Sequence, residues 1–363
     1  MRKQKLFNRL IAFLLVFAMI FAESNLSVFA TEGIPSEEKV DENVVGTDSD
    51  LLVEDGAEQQ VVDGNDGDDV SDPEAADMEN VGTEDTDGII AQGSKCGIDW
   101  VIDAEGTLTV SGTYTGGEFN DDIWIWRYGG GEYLKCPEWI DYREDIVRAE
   151  IGAKNMQSMK NWFYDCKNLT MIDFTNSDTA QITDMSELFY GCSGLESINF
   201  ENFDTSNVTN MSQMFWWCGN IGSIDLSNFD TSNVTDMKKM FGYCDSLNSL
   251  DLSGFDTSNV TDMSGMFSGC RFLSSLNLSG FDTSNVTNMG SQITETTDET
   301  EYWDGLGMFE DCSSLKTLDL SGFDTHNVTN MAWMFVDCGM LESLNLSGFD
   351  TSSVTDMKMM FFG

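Results

Sequence analysis

FDTSNVTDMKKMFGYCDSLNSLDLSG, Phe229–Gly254, is the stretch that decides the fold. It returns almost letter for letter along the chain. Phe203, Phe229, Phe255 and Phe281 stand 26 residues apart, as do Phe323 and Phe349. The 42 residues from Phe281 to Phe323 are one unit with 16 residues inserted. A fixed period of this length marks a solenoid, and it governs how every other motif is read.

Within the unit, Leu247, Leu250 and Leu252 point inward, while Ser249, Asp251 and Ser253 alternate to the other side, as in a strand. Met237, Met240, Phe241 and Cys244 fall at i, i+3, i+4 and i+7, which predicts one or two turns of helix with one apolar side. The SGFDTSN stretches between them are rich in turn formers. All apolar side chains of a unit face one interior, so no unit closes a core alone and stacking is required. Fully burying each such side chain is worth roughly 1.5–3 kcal/mol, set against the ordering cost. Cysteine recurs at Cys166, Cys192, Cys218, Cys244, Cys270, Cys312 and Cys338, giving seven coils. An outward column runs Asp173, Asn199, Asp225, Asp251, Asn277, Asp319, Asn345. Parallel strands stack about 4.8 Å apart, so unbroken carboxylates would repel, and interleaved Asn relieves this and permits amide ladders. The expected fold is an α/β repeat solenoid: a leucine-rich-repeat-like right-handed coil with a parallel β-sheet on one face and short helices or turns on the other.

The 363 residues carry 63 Asp and Glu against 18 Lys and Arg, a net charge of −45. Such a surface repels nucleic acid and anionic membrane and excludes both as partners. Residues 1–30 read as an export signal: MRKQKLFNRL is a basic start, an apolar run follows, and Val28-Phe29-Ala30 fits a cleavage site. The apolar run is short for a membrane span, so no direct membrane insertion is expected after cleavage. Residues 31–93 hold 21 acidic residues and one lysine without periodicity, a disordered acidic linker. Residues 94–154 differ in composition. CGIDWVIDAEGTLTVSGTY (Cys96–Tyr114) alternates around a DAEG turn and predicts a hairpin. The segment is the N-terminal, mainly β cap that the open end of a solenoid needs. Cys96 and Cys136 are its only cysteines, and in an exported chain either a disulfide between them or two thiols fits the sequence. Residues 155–363 are the solenoid. Its last unit stops at MKMMFFG, where earlier units continue into Cys, so further coils or another module are expected beyond.

The chain resembles the BspA-like family of leucine-rich repeat surface proteins. The resemblance rests on the repeated FDTSNVT-(D/N)-M … MF-x-x-C-x-x-L-x-x-L-(D/N)-LS pattern and on the WVIDAEGTLTVSGT run with PEW and YREDI beyond it. It covers residues 96–363. It implies a bacterial cell-surface or secreted protein with adhesive or ligand-binding roles, and it brings no catalytic residues.

Each candidate site has a structural counterpart. The cysteine column holds one thiol per coil, which suits buried packing better than zinc ligation. Asp178, Asp204, Asp230, Asp256, Asp282, Asp324 and Asp350 form an unbroken acidic column, read chiefly as Asx turns. Asp204, Asp230, Asp256 and Asp282 are the weak calcium candidates within it, since the repeat lacks the Gly-rich pattern of calcium solenoids. The insertion within residues 290–307 carries Tyr302 and Trp303, and with Trp333 these are the candidate ligand contacts. Trp216, Trp217, Tyr243 and Trp333 lie at variable positions near the expected helix, where edge packing between coils is the alternative to exposure. The single histidine, His326, stands where other units have Ser206 or Ser232 and forms no nucleophile arrangement. The function read from the sequence is binding, not catalysis, without a cofactor: a monomer that contacts a host or microbial surface protein or glycan. A passive stalk displaying another module, or the non-catalytic part of a secreted enzyme, are the alternatives.

Overall fold

The computed structural model describes residues 88–127, 130–290 and 306–363, apart from the side chains of 124–132, all within the unit Asn80–Gly363. The expected leader and most of the acidic linker lie outside the described residues. The linker ends earlier than its composition indicates, because 89–93 belong to strand β1 (Ile89–Lys95). β1 pairs antiparallel with β2 (Ile98–Asp103), and β2 with β3 (Thr107–Gly112). The β2–β3 turn is the predicted hairpin. Asp103 Oδ1 accepts the N–H groups of Glu105 and Thr107 at 3.1 and 2.7 Å, and Gly106 supplies the φ of +79°.

A second hairpin, β4 (Asp121–Arg127) with β5 (Gly130–Cys136), leads into a 3-10 helix at Glu138–Tyr142. There Trp139 is buried against Trp162, rings 5.1 Å apart, and its Nε1 donates to Trp162 O at 2.8 Å. β6 (Arg148–Ile151) lies parallel to β3, then β7 (Met171–Asp173) and β8 (Ser197–Asn199) continue the row. The sheet order β1-β2-β3-β6-β7-β8 therefore makes cap and coils one continuous sheet. Of the two arrangements the sequence left open for Cys96 and Cys136, the structure has two thiols that are not bridged. Cys96 Sγ turns at the β1–β2 corner toward Glu118 O, 3.5 Å away, while Cys136 is buried in the core at the end of β5.

The parallel face continues as β9 (Ser249–Asp251) with β10 (Ser275–Asn277), and β11 (Thr317–Asp319) with β12 (Ser343–Asn345). The third coil forms no strand. Gly222 stands just before the strand position there, where the other coils carry Thr170, Glu196, Asn248, Ser274, Lys316 and Glu342, and glycine weakens a strand. Amides relieve the outward column as expected: Asn199 Nδ2 donates to Asp173 Oδ1 at 3.2 Å. Hydrogen bonds, the Thr175 hydroxyl first, hold the Asp173 carboxyl below its usual range.

The leucine-rich-repeat-like solenoid with a parallel sheet is what forms, but the short helices do not. Among the described residues the MFxxC segments are chains of turns. In the third coil the N–H groups of Met211, Gln213, Phe215 and Trp217 donate across to Asp236, Lys238, Met240 and Gly242 of the next coil, at 2.8–3.0 Å. Those of Met214, Trp216 and Cys218 bond back three residues within the coil, at 3.1–3.3 Å. A helix of about eight residues would leave its first four N–H and last four C=O groups without partners. The alternating pattern spends half of them on the neighbouring coil instead. Three-residue turns still bring Met211, Met214, Phe215 and Cys218 inward, so the apolar spacing was right and the hydrogen bonding was not.

The core is a set of columns. Phe163, Phe189, Phe215, Phe241, Phe267, Phe309, Phe335 and Phe361 stack ring on ring at 5.4–6.0 Å. Beside them each thiol from Cys192 to Cys338 donates to the Phe carbonyl of the preceding coil, at 3.0–3.3 Å. A polar column, missed from the sequence, runs through the FDT threonines. Thr205, Thr231, Thr257, Thr283 and Thr325 are buried, and each hydroxyl donates to the Asp carbonyl of the next coil at 2.8–2.9 Å. Thr205, Thr257 and Thr325 also accept that Asp's N–H, at 2.8–2.9 Å.

Candidate binding face

The turn face is built by the same hydrogen-bond alternation. Third-position residues of its turns take positive φ, as in type II turns: Gln213 (56°), Trp217 (63°), Lys239 (57°) and Tyr243 (56°). The fifth coil has Gly265 and Gly269 at the matching sites, at 64° and 73°. The identity of these columns changes from coil to coil, as does that of the columns after the cysteines, from Asn168 to Met340 and from Thr170 to Glu342. Tyr164 stacks on Tyr190 at 4.6 Å. Trp216 packs over Gly242, where an added Cβ would lie 2.2 Å from the ring, and meets Tyr243 edge-on at 5.0 Å. Trp217 reaches Tyr243 at 5.9 Å, and Lys239 Nζ sits 5.2 Å over the Trp216 ring. Trp217 and Tyr243 are half-buried, with part of each ring at the surface.

The insertion leaves and re-enters on this face. Its described flanks, Gly290 and Leu306, are buried. A Cβ on Gly290 would lie 2.3 Å from Ala332 N, and one on Gly307 2.1 Å from Trp333 O, so glycine at both ends keeps the sixth coil against the seventh. Tyr302 and Trp303 lie outside the described residues. Trp333 is half-buried at φ 64° on the turn face. It stands three coils beyond Tyr243, roughly 15 Å at strand spacing, so the structure does not bring these two aromatics together. Trp216, Trp217 and Tyr243 do meet, and the signal that found them was their variation within an otherwise repeated unit.

The remaining candidates resolve into the repeat's own bonding. Oδ1 of Asp204, Asp230, Asp256 and Asp282 each accepts the N–H of the Ser two residues on, at 2.9–3.0 Å, an Asx turn in every coil. The hydroxyls of Ser232 and Ser258, followed by their N–H groups, hold Asp230 and Asp256 below the usual carboxylate range. His326 takes the serine's place: its Nδ1 lies 2.7 Å from Asp324 Oδ1. Asn207, Asn233, Asn259, Asn285 and Asn327 donate to the preceding coil's carbonyls at 2.7–2.9 Å. Burial pushes the Cys270 thiol up to about 12, as expected of packing thiols. No group of three or more His, Cys, Asp or Glu among the described residues could hold a metal ion.

Residues 154–251, 191–305 and 303–363 match the family described as "Mycoplasma protein of unknown function, DUF285", which covers more than half of the chain. The chain belongs to the DUF285 family. The matches begin at Lys154, where the solenoid starts, and run to Gly363. Among solved structures, this DUF285 chain is similar to a leucine rich cell surface protein from Faecalibacterium prausnitzii A2-165, with 15% identity and a TM-score of 0.28, covering 74% of this chain and 76% of that one. It is also similar to a leucine-rich repeat protein from Eubacterium ventriosum ATCC 27560, with 14% identity and a TM-score of 0.25, covering 69% and 83%. No curated protein matches it. Among the described residues no helix is long and apolar enough to cross a membrane.

Proposed function

We propose that this DUF285 chain is an exported surface repeat protein that binds a neighbouring protein or glycan through the turn face of its solenoid. One observation carries this reading. Columns that repeat are consumed by coil-to-coil bonding: the FDT threonines, the SNVT asparagines, the cysteines and the Phe stack. Columns whose side chains are not held to one identity vary, and on the turn face, where the insertion is also rooted, they leave Trp217, Tyr243 and Trp333 part-exposed, with Trp216 buried against Tyr243. Half-exposed Trp and Tyr supply large contact area at little entropic cost and dominate binding energy where they occur. The −45 charge directs the surface toward neutral or cationic partners.

The test is a glycan and matrix-protein array probed with the full chain, a Trp217→Ala/Tyr243→Ala double variant and a Tyr302→Ala/Trp303→Ala double variant. Loss of at least tenfold in a wild-type signal with the first variant supports the turn face. Unchanged signals with both variants refute it and leave the solenoid as a stalk.

A further inference from the structure

We propose that Glu310 makes the sixth coil a pH-responsive joint, firm while its carboxyl is neutral and loosened once it ionises. Other coils fill this column with Tyr164, Tyr190, Trp216, Gly242, Ser268 and Val336, none of them charged. Glu310 is 8% exposed. Its Oε2 accepts the N–H of Gly307 at 3.1 Å, at the point where the chain returns from the insertion. Its backbone is fixed on both sides: Glu310 N–H donates to Gly307 O at 3.2 Å, and its carbonyl accepts from Gly269 N–H at 2.8 Å. Side chain and backbone of this one residue therefore tie the insertion's re-entry to the fifth coil: the carboxyl holds Gly307 and the carbonyl holds Gly269.

Among the described residues, the charged groups facing it are carboxylates, Asp311 on its own coil and Asp337 on the seventh. Arg271, from the fifth coil, is the cation of this region, and it is engaged by Asp311 at 2.7 Å and Asp245 at 3.6 Å. Ionised Glu310 thus buries a negative charge beside two others. Burial raises its pKa to about 7, with Asp311 and Asp337 adding to it, while the Gly307 N–H pulls the other way. The folded value lies above an unfolded one of about 4.3. The native state then holds more protons between these values, so stability falls as pH rises from about 4.3 to about 7 and levels off above.

Two measurements on the full chain test this. Thermal unfolding of wild type and Glu310→Gln is followed from pH 5 to pH 8.5. The variant is expected to match wild type at pH 5 and to melt several degrees higher at pH 8. Parallel profiles across the range overturn the proposal. Amide hydrogen exchange on wild type alone needs no variant to fold. Peptides spanning residues 306–312 should exchange faster with pH than base catalysis gives, relative to the matching peptides of the fourth coil. Equal slopes in the two coils overturn it as well. Neither readout involves ligand, so the joint and the turn-face reading fail separately.

Discussion

Replacing Thr257 by valine isolates what the buried threonine column contributes. Thr257 is fully buried, and its hydroxyl donates to Asp282 O at 2.8 Å and accepts Asp282 N–H at 2.9 Å. Valine keeps the shape and adds apolar surface but bonds to neither group. Each lost bond is worth about 1 kcal/mol net, and a backbone group left dry costs about 1–3 kcal/mol. Asp282 is itself exposed, so water reaches part of the gap, and the expected loss is about 2–3 kcal/mol. Thr257→Ser keeps both bonds and removes one methyl, for about 1 kcal/mol. Urea unfolding followed by far-UV circular dichroism gives the order wild type, Ser, Val. Repeat arrays can lose cooperativity, so midpoints are compared only at equal slope. If valine equals or exceeds wild type while serine falls below it, the column is merely apolar filling and the hydrogen-bond account fails.

Three other substitutions probe the turn face and its flank. Gly269→Ala places a Cβ at φ 73°, 2.5 Å from the Tyr243 ring, and should cost about 1–3 kcal/mol in the same unfolding assay; Gln213→Gly, at φ 56°, should be neutral or slightly stabilising. Asp236→Asn should stabilise the chain by about 1 kcal/mol at pH 7, because burial raises the Asp236 carboxyl, with Asp262 and Asp184 adding to it, and Asn already fills this column at Asn210, Asn288 and Asn330. A raised carboxylate favours its protonated form, so its penalty appears as pH rises and disappears in acid. The gain should therefore vanish near pH 4, and a gain that persists there would point to packing instead.

The period of Phe229 and its copies made the solenoid legible, because a side chain that must meet its own copy one coil on is forced to repeat. The same logic hid the turn face's hydrogen bonding. Met237, Met240, Phe241 and Cys244 carry helical spacing, yet the partner for every second N–H lies a coil away, and periodicity within one unit is blind to it. The Thr257 column was visible as an unvarying letter, but its hydroxyl's two bonds exist only once coils stack, so turn chemistry was the nearer explanation. Gly222 marks the third coil's missing strand, and stacking tolerates this weakened rung while the Phe and Cys columns pass through it unbroken. That tolerance bears on function. A scaffold held by columns inside and by Thr and Asn bonds at its corners leaves the turn-face side chains free to change without unfolding the coil. The turn face, where Trp217 meets Tyr243 and Trp333 stands three coils on, is therefore one place where selection for binding could act at little cost to the fold.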